Sequence, residues 1–203
     1  MGFPAFFDAV PGITLRDPLA ELLGAADDGL IEYRYADAVR LAGHSCPTVA
    51  GAWLLTTRAL RALYGDEVPE RGAIRVDFGE SQKSGVAGVI ASVVGLLTGA
   101  AGVGGFKGLA GRYARKDLLQ FEAAGVDGIR FTRLDGRGSV VVALDLSPVA
   151  GDPRMGELLP LVLQGIASAE QALQFGALWQ ERVRRILVDH RDDPRLTAIH
   201  RDS

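Results

Sequence analysis

The sequence predicts an α+β protein, with a small, mainly antiparallel sheet packed by helices and a long C-terminal helix. Three observations predict it. Residues 128–134 and 139–145 carry β-branched and aromatic side chains and flank Asp135-Gly136-Arg137-Gly138, whose Asp-Gly start suits a tight hairpin turn. Residues 47–64 repeat Val49, Trp53, Leu60 and Leu63 at helical spacing, with Arg58 and Arg61 on another face. Residues 157–188 carry Leu158, Val162, Gly165, Ala169, Ala172, Gly176, Trp179, Val183 and Ile186 in alternating steps of four and three, a heptad-like stripe.

Taken in chain order, Asp17-Pro18 starts the first helix, with a capping carboxylate followed by proline at the first helical position. Leu19, Leu22 and Leu23 form its apolar side, and Gly24 ends it. A short helix follows over 37–41. The turn Ala42-Gly43-His44-Ser45-Cys46-Pro47 feeds the helix over 47–64, which Gly65-Asp66 stops. Residues 73–78 read as a strand. From 84 to 106 no residue is charged, a length that passes for a membrane span. Glycines at 85, 88, 95, 99, 102, 104 and 105 weaken that reading, and no aromatic belt or basic flank marks an interface. A buried helix over 84–97 running into a glycine-rich loop is expected instead. Residues 111–124 fit a helix or an edge strand. After a linker at 148–153, one helix over 157–188 would be about 45 Å long, more than a compact domain needs. A break near Gly176 or a dimer contact is therefore expected, and the charged tail after Asp189 should fray. The parts are a helical segment at 1–35, an α+β domain at 36–150 and a helical extension at 151–203.

Composition excludes several classes. The chain has 203 residues, 48% of them hydrophobic, which is too apolar for disorder. A formal charge of -3 with no Lys or Arg block argues against nucleic acid. One cysteine, Cys46, can form neither an intramolecular disulfide nor a four-cysteine zinc finger. The N-terminus lacks the charged and apolar regions of a secretion signal, so the expected address is cytoplasmic.

Chemistry concentrates at His44-Ser45-Cys46-Pro47. With Pro47 at the first helical position, Cys46 is the N-cap, where unpaired amides and the helix dipole favour a thiolate. His44 could share a metal ion with that sulfur or act as its proton partner. Two ligands are short of a site, and a buried structural cysteine beside a turn histidine is the plainer alternative. Asp77 and Glu80 are either extra ligands or proton carriers, or a solvated strand end. His190 is explained by a helix C-terminus. Backbone amides of the glycine-rich loop could cradle an anion with Lys107 as countercharge, or the loop could simply allow close packing.

Gly43-His44-Ser45-Cys46-Pro47 with Gly51 resembles the Gly-His-x-Cys-Pro-Gly-x-x-x-Gly signature of the formylmethanofuran dehydrogenase FmdE family. Leu97-Thr98-Gly99-Ala100-Ala101-Gly102-Val103-Gly104-Gly105-Phe106-Lys107-Gly108-Leu109 resembles the loop that is the family's second hallmark. The resemblance covers 36–146. Thr48 stands where the family commonly has glycine, Ala100 where it has cysteine, and Ser92 near a usual aspartate. Lys107 is offset by about one position, and the C-terminal zinc-ribbon cysteines of some members are missing.

The resemblance implies an α+β domain, commonly a homodimer, and a bound metal, zinc first, with His44 and Cys46 as ligands. It also implies a cleft for a small molecule or anion at the loop, with Gly99 and Lys107 as binding residues. Three functions follow as expectations: a metal-binding protein of FmdE type, a thiol-dependent enzyme using Cys46 with His44, or a non-catalytic interaction subunit of a larger oxidoreductase complex.

Overall fold

The computed structural model describes residues 2–202 and is α+β. A five-stranded mixed sheet has the order β4-β3-β5-β6-β7, built from β3 (Ile74–Phe78), β4 (Leu119–Gln120), β5 (Ile129–Arg133), β6 (Ser139–Leu144) and β7 (Thr197–Asp202). Only the β3–β4 pair is parallel. A separate antiparallel pair joins β1 (Ile13–Arg16) to β2 (Leu30–Tyr33). The hairpin forms where the Asp-Gly signal sits, with Ile129 opposite Val142 and Phe131 opposite Val140, all four inward. The ambiguous stretch at 111–124 supplies the edge strand β4.

Four helices belong to this part of the chain: α1 (Pro18–Leu22), α2 (Tyr35–Ala42), α3 (Pro47–Tyr64) and α4 (Ala87–Thr98). Both ends of α3 carry their signals, Cys46 with Pro47 at the start and Gly65 at the stop. Val49, Ala50, Trp53, Leu55 and Leu60 of α3 are fully buried, and the helix packs on both α4 and β6. Its two buried hydroxyls, Thr56 and Thr57, donate to the Ala52 and Trp53 carbonyls and so carry no unmet polar cost. A Cβ on Gly51 would press on Leu144, so the absent side chain lets α3 lie close to β6.

The uncharged stretch at 84–106 resolves into α4 and the glycine-rich loop. Among the described residues no helix is long and apolar enough to cross a membrane.

Three local expectations change. Leu22 at the end of α1 and Leu23 just beyond it are exposed and form no packed face. The helix expected over 157–188 is two: α5 (Arg154–Leu163) and α6 (Ala169–Arg184). The break falls at Gly165, whose φ of 70° is left-handed, and not at Gly176. A capping box between Ser168 and Gln171 starts α6, which runs on through a π-turn at Arg185–Asp189. The tail does not fray: β7 pairs with β6 along its length, and Leu196 and Thr197 are completely buried. Phe7 and Leu15 from the N-terminal stretch, and Ile186, Leu187 and Leu196 from the C-terminal one, join α3 and the sheet in one apolar core.

Candidate functional site

The structure places Cys46 where its neighbours predict. The residue is the N-cap of α3, with extended backbone, and its Sγ accepts the Val49 N–H at 3.4 Å. It is buried, with 8% of its surface exposed. His44 is exposed, and its Nδ1 pairs with the Ala42 carbonyl oxygen at 2.9 Å. No hydrogen bond joins the imidazole to the sulfur. Ser45, the residue between them, is fixed from two sides: Tyr35 Oη pairs with Ser45 Oγ at 3.0 Å, and Trp179 and Gln180 both donate to the Ser45 carbonyl. Burial pushes the Tyr35 hydroxyl pKa up, so it stays protonated.

Zinc needs more donors than this. Structural zinc takes four protein ligands and catalytic zinc three. Among the described residues no group of three His, Cys, Asp or Glu could hold an ion. Asp77 is buried and paired with Arg75 at 3.1 Å, while Glu80 is exposed at the strand end.

The glycine-rich loop does border a cavity, of about 720 Å³, with Ser92, Gly95, Ala100 and Gln120 in its lining. Its polar side chains are neutral. Gly99 caps α4 with a φ of 71°, and Lys107 is exposed. Neither lines this cavity, and neither do His44 and Cys46. None of the four residues singled out from the sequence lines this cavity.

A charged constellation that local sequence spacing does not reveal lies on the other side of Gly99. Asp17, the α1 N-cap, is 5% exposed, and its carboxylate accepts the Leu19 and Ala20 amides. The same carboxylate takes Arg71 Nη1 and Arg115 Nη2, both at 2.6 Å. Arg71 also donates to the Leu96 and Leu97 carbonyls, which the end of α4 leaves unpaired, and stacks over Tyr33. Arg115 fills the space that side chains on residues 72 and 99 would need. A Cβ on Gly72 would overlap its Nη1, and one on Gly99 would lie 2.7 Å from that atom. Burial lowers the Arg115 pKa; Asp17 opposes that shift and Arg71 adds to it.

This constellation is one wall of an open cavity of about 770 Å³. Arg16 lines it, held by Glu21 and Glu70. Arg112 lines it from a tight turn in which Leu109 and Arg112 exchange backbone hydrogen bonds and Ala110 and Gly111 both have positive φ. Arg112 is exposed and stacks 5.1 Å from the centre of the Tyr113 ring. Tyr113 itself has a φ of 62°, a conformation that costs a bulky residue free energy and is held here by its surroundings. Pro18, Leu22, Leu118 and Leu134 supply apolar lining.

No family model matches the chain, and no curated protein matches it. The fold and the cavity therefore stand on their own geometry.

The sequence carries one partial signal for this site. Arg112 and Arg115 sit three residues apart beside Tyr113, but Asp17 and Arg115 are 98 positions apart and Arg71 and Asp17 are 54. No spacing rule joins residues so distant.

Proposed function

We propose that the protein binds a small organic anion in the arginine-lined cavity, on an α+β scaffold of FmdE type. One observation carries this reading: two guanidinium groups share the single buried Asp17 carboxylate, and Arg112 lines the same cavity with no carboxylate partner among the described residues. Burying cations without matching anions is costly, and a bound anion relieves that cost. Arginine suits the task because its planar fork matches carboxylate and phosphate oxygens. The cavity lies within the range that accepts small molecules, with apolar walls and a few placed charges.

Calorimetric titration with 2-naphthoate and with 2-naphthyl phosphate tests it. At least one should saturate at one site per chain, and Arg112→Gln should weaken it several-fold. Arg112 is exposed and pairs with no carboxylate among the described residues, so its loss leaves the fold intact. No saturable binding of either probe would end this reading.

A second reading rests on the sulfur at the start of α3. The Val49 amide donates to Cys46 Sγ, which fixes in place the sulfur that metal binding or thiol chemistry would use. The donors among the described residues do not complete a zinc site, so no step is assigned to a metal. Elemental analysis of the purified protein alongside Cys46→Ala and His44→Ala decides the zinc reading. Stoichiometric zinc lost in both variants would support it, and equal trace metal in all three would remove it. Rapid alkylation of Cys46 at mildly acidic pH without metal would favour a thiol enzyme instead.

A further inference from the structure

We infer that the arginine cavity selects a monocarboxylate with a flat apolar body, in preference to a phosphate ester or a bare inorganic anion. The inference rests on the reading of that cavity as the binding site.

Charge balance picks the head group. Four guanidinium groups, of Arg16, Arg71, Arg112 and Arg115, meet three carboxylates, of Asp17, Glu21 and Glu70. One positive charge is left over. A carboxylate neutralises it, whereas a phosphate monoester, with about −1.5 to −2 charge near pH 7, overshoots and faces Glu21 and Glu70. Those two side chains are partly exposed but already engaged by Arg16, so they are fixed near the cavity and repel a second negative charge. Recruiting a dianion would mean breaking the Arg16 pairs.

The walls pick the body. About 770 Å³ is far more room than an isolated anion fills. Leu22 is 56% and Leu134 53% exposed, yet both border the cavity, so a ligand lying on them would remove apolar surface from water. The Tyr113 ring, already stacked under Arg112, offers a flat face beside them. A planar hydrocarbon with a carboxylate at one end would put its head on the guanidinium wall and its body on these three side chains.

Calorimetry with four probes near pH 7.5 tests the inference: 2-naphthoate, 2-naphthyl phosphate, 2-naphthol and acetate. Naphthoate should bind tightest, by about tenfold or more over each of the others. Leu22→Gln, a change at an exposed side chain, should weaken naphthoate and leave acetate unaffected. Naphthyl phosphate binding as tightly as naphthoate, or tighter, would overturn the head-group assignment while leaving anion binding in place. Acetate equal to naphthoate, or naphthoate indifferent to Leu22→Gln, would overturn the assignment of the body. Failure of all four probes to saturate would remove the anion-binding reading itself.

Discussion

The indole nitrogen of Trp179 donates to the Ser45 carbonyl oxygen at 3.0 Å, and the Gln180 amide donates to the same oxygen at 3.1 Å. Helix α6 thus grips the turn that sets Cys46 at the start of α3. The grip continues with Arg182, which donates to the Val149 and Leu146 carbonyls, and Arg185, which donates to that of Ala150. The extension is fastened to the α+β core by side chains that satisfy loop carbonyls, and Val183 and Ile186 complete the seal.

Trp179→Phe keeps a ring but removes one of the two donors to Ser45. Stability should fall by about 1 kcal/mol, which is about a fivefold rise in the locally opened population. The thiol of Cys46 should react correspondingly faster with iodoacetamide, and faster still in Trp179→Phe/Gln180→Leu. Urea unfolding and alkylation rates check both. An unchanged rate in the double variant would show that α6 does not control access to the sulfur.

Gly72→Ala should be among the most damaging single-methyl additions. The residue has a φ of 79°, and its Cβ would occupy the place of Arg115 Nη1. Left-handed strain and overlap together should cost about 3 kcal/mol, read from urea unfolding. Gly104→Ala, where a Cβ meets open space at an ordinary φ, should cost little by comparison.

Asp17→Ala removes the buried carboxylate from between two guanidinium groups and uncaps α1. Breaking a buried pair in this way typically costs about 3–5 kcal/mol. Adding Arg115→Met to that variant should recover part of the loss, because the stranded cation is removed with its partner gone. The double-mutant cycle measures this coupling, and simple additivity would contradict the shared-charge arrangement.

Acid should weaken the hairpin turn. Asp135 is held well below its ordinary 3.8 by Arg133 first and by Arg137, while Arg133 also reaches Glu67 and lies over the Tyr64 ring. Because the folded pKa is the lower one, the contribution is complete above the unfolded value and disappears as pH falls through the folded value. Asp152, pulled down to about 2 by Arg154, behaves the same way between 3.8 and about 2. The stability gap between the wild type and Asp135→Asn should therefore be constant from neutral pH down to about pH 5 and close below about pH 4. A gap independent of pH across that range would count against the pair.

The sequence was most legible where local signals mark both ends of an element. Pro47 and Gly65 bound α3, and Asp135-Gly136 centres the hairpin between β5 and β6. The C-terminal helix was harder, because its apolar stripe runs unbroken through Gly165. The reversal was encoded by that glycine together with the Ser168 to Gln171 capping box, whose signature is short and easily lost inside a periodic pattern. Strand β7 was hidden by its flanking charges, although Leu196 and Ile199 are apolar within it or beside it and pack toward the core. In the site, the N-cap role of Cys46 was local and therefore readable. The contact of His44 Nδ1 with the carbonyl at the end of α2 was not, since no spacing rule fixes which way a turn imidazole faces. The arginine cavity was out of reach because Arg16, Arg71 and Arg115 meet only through tertiary packing.

On the binding reading proposed above, a carboxylate lodges against Arg71 and Arg115. Crystals grown with 4-bromobenzoate and measured at the bromine absorption edge show where that carboxylate sits. One strong anomalous peak is expected in the cavity bordered by Leu22, Tyr113 and Leu134, with the carboxylate turned toward the two arginines and the peak weaker in Arg112→Gln crystals. A peak seated instead beside Cys46, or in the neutral cavity at the glycine-rich loop, would contradict that reading.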